Sequence, residues 1–350
     1  MQIIIVAGGG GSRLWPLSNP KTPKQFARVI GHKASIEHVF QYLCTKFSVE
    51  NIWINTNQKF SSKVAELFPN LPLSHILLEP QKRDNFAAVA TQAAVLSHIH
   101  GDDEPLVFVT SDEFMQYQAS ITKFQNAIEI IGDALSNDFF DVVTMGIRPI
   151  TPNTNYGYLE ISLENRYKCY TQVVPIIAWC EKPAKDLAEQ FLAQGNYVWN
   201  KFNPSFKFKT LKKYLALNDP DSLEILLKIE KTGIIDEADY IKLPKISIEH
   251  AFTAKVENVG VIALDINDWV DVGNWEVANN FLPALDQNPN QIQVAGQNNK
   301  VKLDDPNRKV AFVGVSDLLL VETEAGILVI DPKYSSDVKQ VAEYFEDLDI

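Results

Sequence analysis

The chain opens Met1-Gln2-Ile3-Ile4-Ile5-Val6-Ala7 and runs without a spacer into Gly8-Gly9-Gly10-Gly11-Ser12-Arg13. A β-branched run reads as a buried strand, and four glycines cannot continue it, because they offer nothing to pack and cost backbone entropy. The first strand therefore ends in a loop of bare backbone beside a fixed positive charge. Exposed N–H groups and a guanidinium fork suit phosphate oxygens. Two common phosphate loops fail on spacing: the dinucleotide fingerprint needs a third glycine where Arg13 or Leu14 stands, and the P-loop needs Gly-Lys-Ser/Thr where Arg13 again falls. A glycine loop of another kind remains, and a plain turn is the weaker reading beside that strand and arginine.

Apolar runs at 2–7, 51–56, 75–79, 105–110 and 141–147 alternate with helix-periodic stretches at 34–47, 84–100 and 117–134. This alternation predicts an α/β fold with a mainly parallel sheet covered by helices on both faces. Ligands of such sheets lie beyond the carboxyl ends of the strands, where the glycine loop, Glu79-Pro80 and Asp112 fall. From Tyr156 to about Trp275 the pattern is less regular, with strands at 156–161 and 173–181 and helices near 184–194 and 208–230, a substrate-side elaboration of the same domain. Residues 282–300, rich in Asn, Gln and Pro, read as a linker. Short β-rich runs at 309–315, 317–323 and 326–331 and a helix at 337–348 complete the chain. The expected domains are 1–285 and a small C-terminal module, 286–350.

A chain of 350 residues with 46% hydrophobic and 22% charged residues is globular in composition, and no window nears the roughly 18 apolar residues of a membrane span. The start lacks a signal-peptide pattern, so a cytoplasmic protein with no membrane partner is expected. Cys44, Cys169 and Cys180 are too few and too scattered for a disulfide framework and read as reduced thiols in ordinary packing. A net charge of −12 argues against a nucleic-acid surface. An anionic small ligand would need a local basic pocket, for which Arg13, Lys21, Lys24 and Arg28 are available.

The segment V-A-G-G-G-G-S-R-L-W-P-L-S, residues 6–18, followed by P-K-Q-F, 23–26, resembles the signature of sugar-phosphate nucleotidyltransferases, and Trp15 with 23–26 resembles the mannose-1-phosphate guanylyltransferases among them. Similar stretches recur at 79–85, 110–113, 146–149, 156–159, 180–183, 197–200, 247–251 and 269–275. The resemblance implies a Rossmann-like mixed sheet, a tail like a left-handed β-helix that packs on the catalytic domain or a dimer mate, and a homodimer. It also implies a reaction in which mannose 1-phosphate attacks the α-phosphorus of GTP with Mg²⁺ present, giving GDP-mannose and pyrophosphate. An isomerase domain, fused in some relatives, is not expected. Because the attacking phosphate is already an anion, no general base is needed, and the working groups should be cations, metal-binding carboxylates and backbone donors.

By the same resemblance Ala7, Gly8, Gly9, Gly10, Gly11 and Ser12 line the nucleotide, Arg13 meets the leaving pyrophosphate, and Lys24 holds the α-phosphate. Asp112 and Asp271 hold Mg²⁺. Glu79 chiefly shapes its loop, with Arg83 and Asp84 toward the nucleotide. On the sugar side Glu181 takes hydroxyls, Lys182 neutralises phosphate, Gly157 permits close approach and Asn200 adds hydrogen bonds. Read singly, Lys24 is a solvated lysine, either aspartate a turn residue and Glu181-Lys182-Pro183 a strand end. His98 and His100 read as a helix-end feature, Lys21 and Arg28 as surface charges, and Trp269 and Trp275 as core.

Departures from the family pattern fall mostly on the base and sugar sides. Thr110-Ser111-Asp112-Glu113 stands where Pro-Ala-Asp-His is usual, 83–87 reads Arg-Asp-Asn-Phe-Ala, Lys201-Phe202-Asn203-Pro204 replaces Ser-Gly-Met-Phe, and Ala254 replaces a glutamate. Nucleotidyl transfer is thus the firmer expectation. A different hexose 1-phosphate or nucleoside triphosphate is the alternative within the class, and a catalytically silent, nucleotide-sugar-binding regulatory relative is the alternative outside it.

Overall fold

The computed structural model describes residues 1–162, 172–202, 204–283 and 285–348; Cys169 and Asn203 lie outside them. The chain forms two compact units. One comprises Met1–Gly8, Tyr42–Thr110 and Met115–Asp268, the other Gly9–Gln41, Ser111–Phe114 and Trp269–Ile350.

Numbered along the chain, the strands of the first half are β1 (Gln2–Ala7), β2 (Ile52–Asn57), β3 (Ile76–Glu79), β4 (Pro105–Thr110), β5 (Glu113–Phe114) and β6 (Val142–Ile147). There follow β7 (Tyr158–Ile161), β8 (Val174–Cys180), β9 (Tyr197–Asn200), β10 (Ser205–Lys207), β11 (Val259–Leu264) and β12 (Val270–Asp271). The tail carries β13 (Gln291–Val294), β14 (Lys300–Leu303), β15 (Val310–Val313), β16 (Leu319–Thr323) and β17 (Gly326–Ile330).

In the first unit ten strands form one mixed sheet in the order β11-β8-β7-β9-β6-β10-β4-β1-β2-β3. Strands β3, β2, β1 and β4 are mutually parallel, with Ile4 beside Trp53 on one side and Phe108 on the other. Parallel strands need long crossovers, and the helix Asn85–His100 carries the chain from β3 at the sheet edge past β2 and β1 to β4. Its alanines and Phe86 are buried on nearly every face, so it reads as apolar throughout rather than amphipathic. Beyond β4 the antiparallel β10 enters between β4 and β6, and β7, β8 and β9 add antiparallel pairs. The predicted helix at 208–230 is two, Phe208–Asn218 and Pro220–Thr232. Pro220 cannot continue the first, and Asp219 caps the second by accepting from Ser222 N at 3.1 Å. Cys44 is exposed rather than packed, and Cys180 is half-buried; both are free thiols.

In the second unit β5 and β12 form a two-stranded antiparallel ribbon. The stretch read as a linker contains β13, which pairs in parallel with β15, while β14 pairs in parallel with β16, and in both cases the partner lies 19 residues further along the chain. These pairings do not establish the left-handed β-helix that the resemblance implies. One core joins Leu14 and Trp15, just after the glycine loop, to Trp275, Leu319, Val321 and Val338. Trp275 is fully buried and donates from its indole to Trp15 O at 2.9 Å, and Trp15 stacks on Phe345 at 5.1 Å. Trp269 is buried as well. No helix of the described residues is long and apolar enough to cross a membrane.

Candidate active site

Within the second unit, Lys24, Asp112 and Asp271 meet although the last two are far apart in sequence. The ribbon is the reason: Asp271 stands opposite Glu113 in the register, and Val272 N donates to Asp112 O at 3.2 Å. The Lys24 ammonium donates to Asp112 Oδ2, forming an ion pair. Burial alone would lower the lysine's pKa, but the Asp112 and Asp271 charges outweigh it and hold the ammonium well above its usual range. For Asp112 burial favours the neutral acid, and Lys24 reverses this, keeping it ionised. Asp271 is pushed up to about 7, first by burial and then by the Asp112 carboxylate, to which it is hydrogen-bonded. The two adjoining carboxyls are thus pushed in opposite directions, Asp112 toward its ionised form by the Lys24 cation and Asp271 toward its neutral form by burial and the Asp112 charge.

Asp271 Oδ1 is buried and has no hydrogen-bond partner among the described residues. An unpartnered buried carboxyl oxygen next to a second carboxylate suits a hard divalent cation, which takes one or two carboxylates and completes its shell with phosphate oxygens and water. No cluster of three or more potential ligands exists among the described residues, so ligands from outside the protein would be required.

The glycine loop is shaped around the same lysine. Gly11 has φ +75°, and a side chain there would run into Lys24 Cβ and Cγ; a Cβ on Gly9 would lie 3.0 Å from Lys24 Cε. Leu14 N and the Ser18 hydroxyl both donate to Gly11 O, fixing the turn, and Gly8, Gly9 and Gly10 remain exposed. Arg13 is exposed on the short 3₁₀ turn Ser12–Leu14, close enough for its charge to act on Lys24 and Asp271. Ala7 ends β1. Lys21 and Arg28 are exposed, as expected of surface charges.

In the first unit, Glu79 is buried at the end of β3. It accepts from the Tyr240 hydroxyl at 3.0 Å, and its Oε1, without a partner among the described residues, lies 3.3 Å from the position of a Cβ on Gly8. Burial raises its pKa. Arg83 donates to Leu243 O and braces the chain. Asp84 caps the helix Asn85–His100, accepting from Asn85 N at 2.8 Å. His98 Nδ1 lies 2.9 Å from Glu230 O, and Gly101 ends that helix.

Asp84 also lines a cavity of about 670 Å³ with Gly157, Glu181 and Asn200. Three residues singled out for a sugar are therefore together, and they touch: a Cβ on Gly157 would lie 2.7 Å from Glu181 Oε2 and 3.6 Å from Asn200 Cβ. Lys182 is exposed at φ +43° and pairs with Glu181 at 2.6 Å. Gly157→Ala should force Glu181 to move. Since only a flexible carboxylate must shift, thermal stability should change by less than about 0.5 kcal/mol, while KM for the sugar phosphate should rise roughly tenfold. Steady-state kinetics beside a melting curve checks both.

Motif reading assigned no role to Tyr240, which holds Glu79, nor to Glu249 and Thr253, although Ser247-Ile248-Glu249-His250-Ala251 carried part of the resemblance. Glu249 lines the cavity, and burial pushes its carboxyl up to about 7.

A family model for nucleotidyl transferase matches residues 2–284. The chain belongs to the nucleotidyl transferase family. This nucleotidyltransferase is 30% identical over 355 residues to a mannose-1-phosphate guanylyltransferase of Klebsiella pneumoniae, across 98% of this chain and 73% of the relative. A mannose-1-phosphate guanylyltransferase of Escherichia coli matches with the same identity and coverage. The crystal structure of a mannose-1-phosphate geranyltransferase from Thermus thermophilus superposes with a TM-score of 0.81, at 25% identity and 99% coverage of both chains. The resemblance read from the motifs is borne out at the level of the family and of its α/β fold.

Proposed function

We propose that this nucleotidyltransferase transfers a guanylyl group from GTP to mannose 1-phosphate, releasing pyrophosphate. The observation that carries the reading is the meeting of Lys24, Asp112 and Asp271 beside the glycine loop, supported by relatives named as mannose-1-phosphate guanylyltransferases.

In the reaction a phosphate oxygen of the sugar phosphate attacks the α-phosphorus in line, a new P–O bond forms, and the bond to the β-phosphate oxygen breaks, its electron pair leaving on pyrophosphate. Amides of Gly8 to Gly11 and the hydroxyl of Ser12 bind the triphosphate, and Arg13 meets the charge that collects on the leaving group. Lys24, kept protonated by its acids, faces the α-phosphate and offsets repulsion between two anionic reactants. Asp112 and Asp271 would hold Mg²⁺, which when bound neutralises phosphate charge in the transition state. Asp271 would serve as a ligand in its ionised form, its proton passing to bulk water.

Glu79, fixed by Tyr240, sets the start of the glycine loop, and Arg83 holds the segment that follows on the nucleotide side. Glu181, Asn200 and the open face at Gly157 take the sugar hydroxyls, Lys182 takes its phosphate, and Asp84 joins the sugar side through the cavity it lines. We further propose that 286–350 is a module appended to a catalytic domain at 1–285, that the enzyme is a homodimer, and that it works in the cytoplasm.

The test is pyrophosphate release from a matrix of GTP, ATP, UTP and dTTP with the 1-phosphates of mannose, glucose and fucose. The pair GTP and mannose 1-phosphate should exceed every other by at least about 10²-fold in kcat/KM, because a site built to pair polar groups rejects mismatched ones strongly. Preference for another pair would replace base or sugar in this reading, and no release from any pair would point to a silent regulatory relative.

A further inference from the structure

Behind the cavity of the first unit lies a recess that the proposed sugar contacts do not use. It is lined by Val142, Thr144, Trp179, Phe202, Glu249 and Thr253 and shares Trp179, Asn200 and Glu249 with the cavity, so the two adjoin. Its volume is about 10 Å³, room for one oxygen-sized group. Thr253 is 2% exposed, and its Oγ1 has no hydrogen-bond partner among the described residues. A buried hydroxyl left unpaired is costly, and here it borders a space that a single hydroxyl fills. Glu249 stands at the shared wall, its carboxyl held by the Ser247 side chain and its own amide. Asn200 Oδ1 is engaged by Phe202 N at 3.1 Å. Ala254, with only a methyl side chain, also lines the cavity.

We propose that Glu249 and Thr253 form an additional hydroxyl-binding pair, accepting one hydroxyl of the hexose in the recess and thereby setting which hexose the enzyme takes. The inference rests on reading the cavity as the sugar site. The hydroxyl accepts from Thr253 Oγ1 and donates to the Glu249 carboxyl, satisfying both groups; a hydroxymethyl group is too large for the space. Selectivity follows because a hexose whose hydroxyl points elsewhere leaves Thr253 unpaired.

The test uses the whole enzyme with its best hexose 1-phosphate from the matrix above and with the 2-, 3-, 4- and 6-deoxy analogues. Thr253→Val should raise KM for the parent sugar roughly 3- to 10-fold with little change in kcat, as for one lost neutral hydrogen bond, and Thr253→Ser should restore it. A single deoxy analogue should bind wild type and Thr253→Val equally. Glu249→Gln should also raise KM, yet melt higher than wild type at pH 8. Burial first, then Glu181 and Asp84, opposes ionisation of Glu249, with Tyr158, Cys180, Lys245 and His250 the other titratable groups on the cavity wall, and the amide removes that penalty. A residue that only supported the fold would not gain stability while losing affinity. An unchanged KM in Thr253→Val, or equal sensitivity of every deoxy analogue, overturns the pair while leaving the sugar site standing. Absence of turnover by wild type with any hexose 1-phosphate overturns the sugar site and this inference with it.

Discussion

Replacing Lys24 by alanine should lower kcat for pyrophosphate release roughly 10²- to 10³-fold, the cost of deleting one preorganised group that stabilises transition-state charge. KM for both substrates should change far less, since in the proposed mechanism Arg13 and the loop amides bind the triphosphate without Lys24. The fold should also weaken at neutral pH, because Asp112 keeps its charge through Lys24 and a buried carboxylate without its cation is costly. Lys24→Arg separates the two effects. It restores charge and much of the stability, but its wide fork does not fit where Gly9 and Gly11 crowd the slender lysine stem, so activity should remain low. Full activity in Lys24→Ala would refute the mechanism.

The second large effect is expected at Asp271. Asp271→Asn should cut Mg²⁺-dependent activity by roughly 10²-fold or more, several kcal/mol of transition-state charge stabilisation being lost with the metal. Stability should move the other way. In the metal-free protein the folded-state pKa of Asp271 is raised to about 7 from an ordinary 3.8. The folded state then binds more protons than the unfolded state between those values, so stability is present at low pH and is lost as pH rises through about 7. Asparagine carries no such penalty, and the variant should melt above wild type at pH 8 without metal. Adding Mg²⁺ should raise the melting temperature of wild type and leave that of Asp271→Asn unmoved. Equal Mg²⁺ shifts in both proteins would exclude Asp271 as a ligand.

Much of the parallel half was legible because strand and helix periodicities are local. The stretches read at 2–7 and 84–100 match Gln2–Ala7 and Asn85–His100 to within a residue, on periodicity and on Gly101 after the last turn. The antiparallel insertion of β10 between β4 and β6 was not, since Ser205–Lys207 is too short for a period. Strand β13 was hidden in a polar stretch whose partner lies 19 residues on. Cys44 was misplaced because exposure depends on neighbours that the chain does not list in order.

The proposed phosphate loop is read from the glycine run and Arg13, because bare amides and a cation close together in the chain remain close when folded, and the fold sets Lys24 against Gly9 and Gly11. The sequence also contained both aspartates, but their chemistry belongs to the fold. Only the β5–β12 ribbon brings Asp271 against Asp112, and only there do burial, the Lys24 ammonium and the neighbouring carboxylate push two ordinary carboxyls in opposite directions. The Thr253 hydroxyl, without a partner among the described residues and beside a recess of one oxygen's volume, is likewise a property of packing, which depends on distances through space that no spacing along the chain encodes.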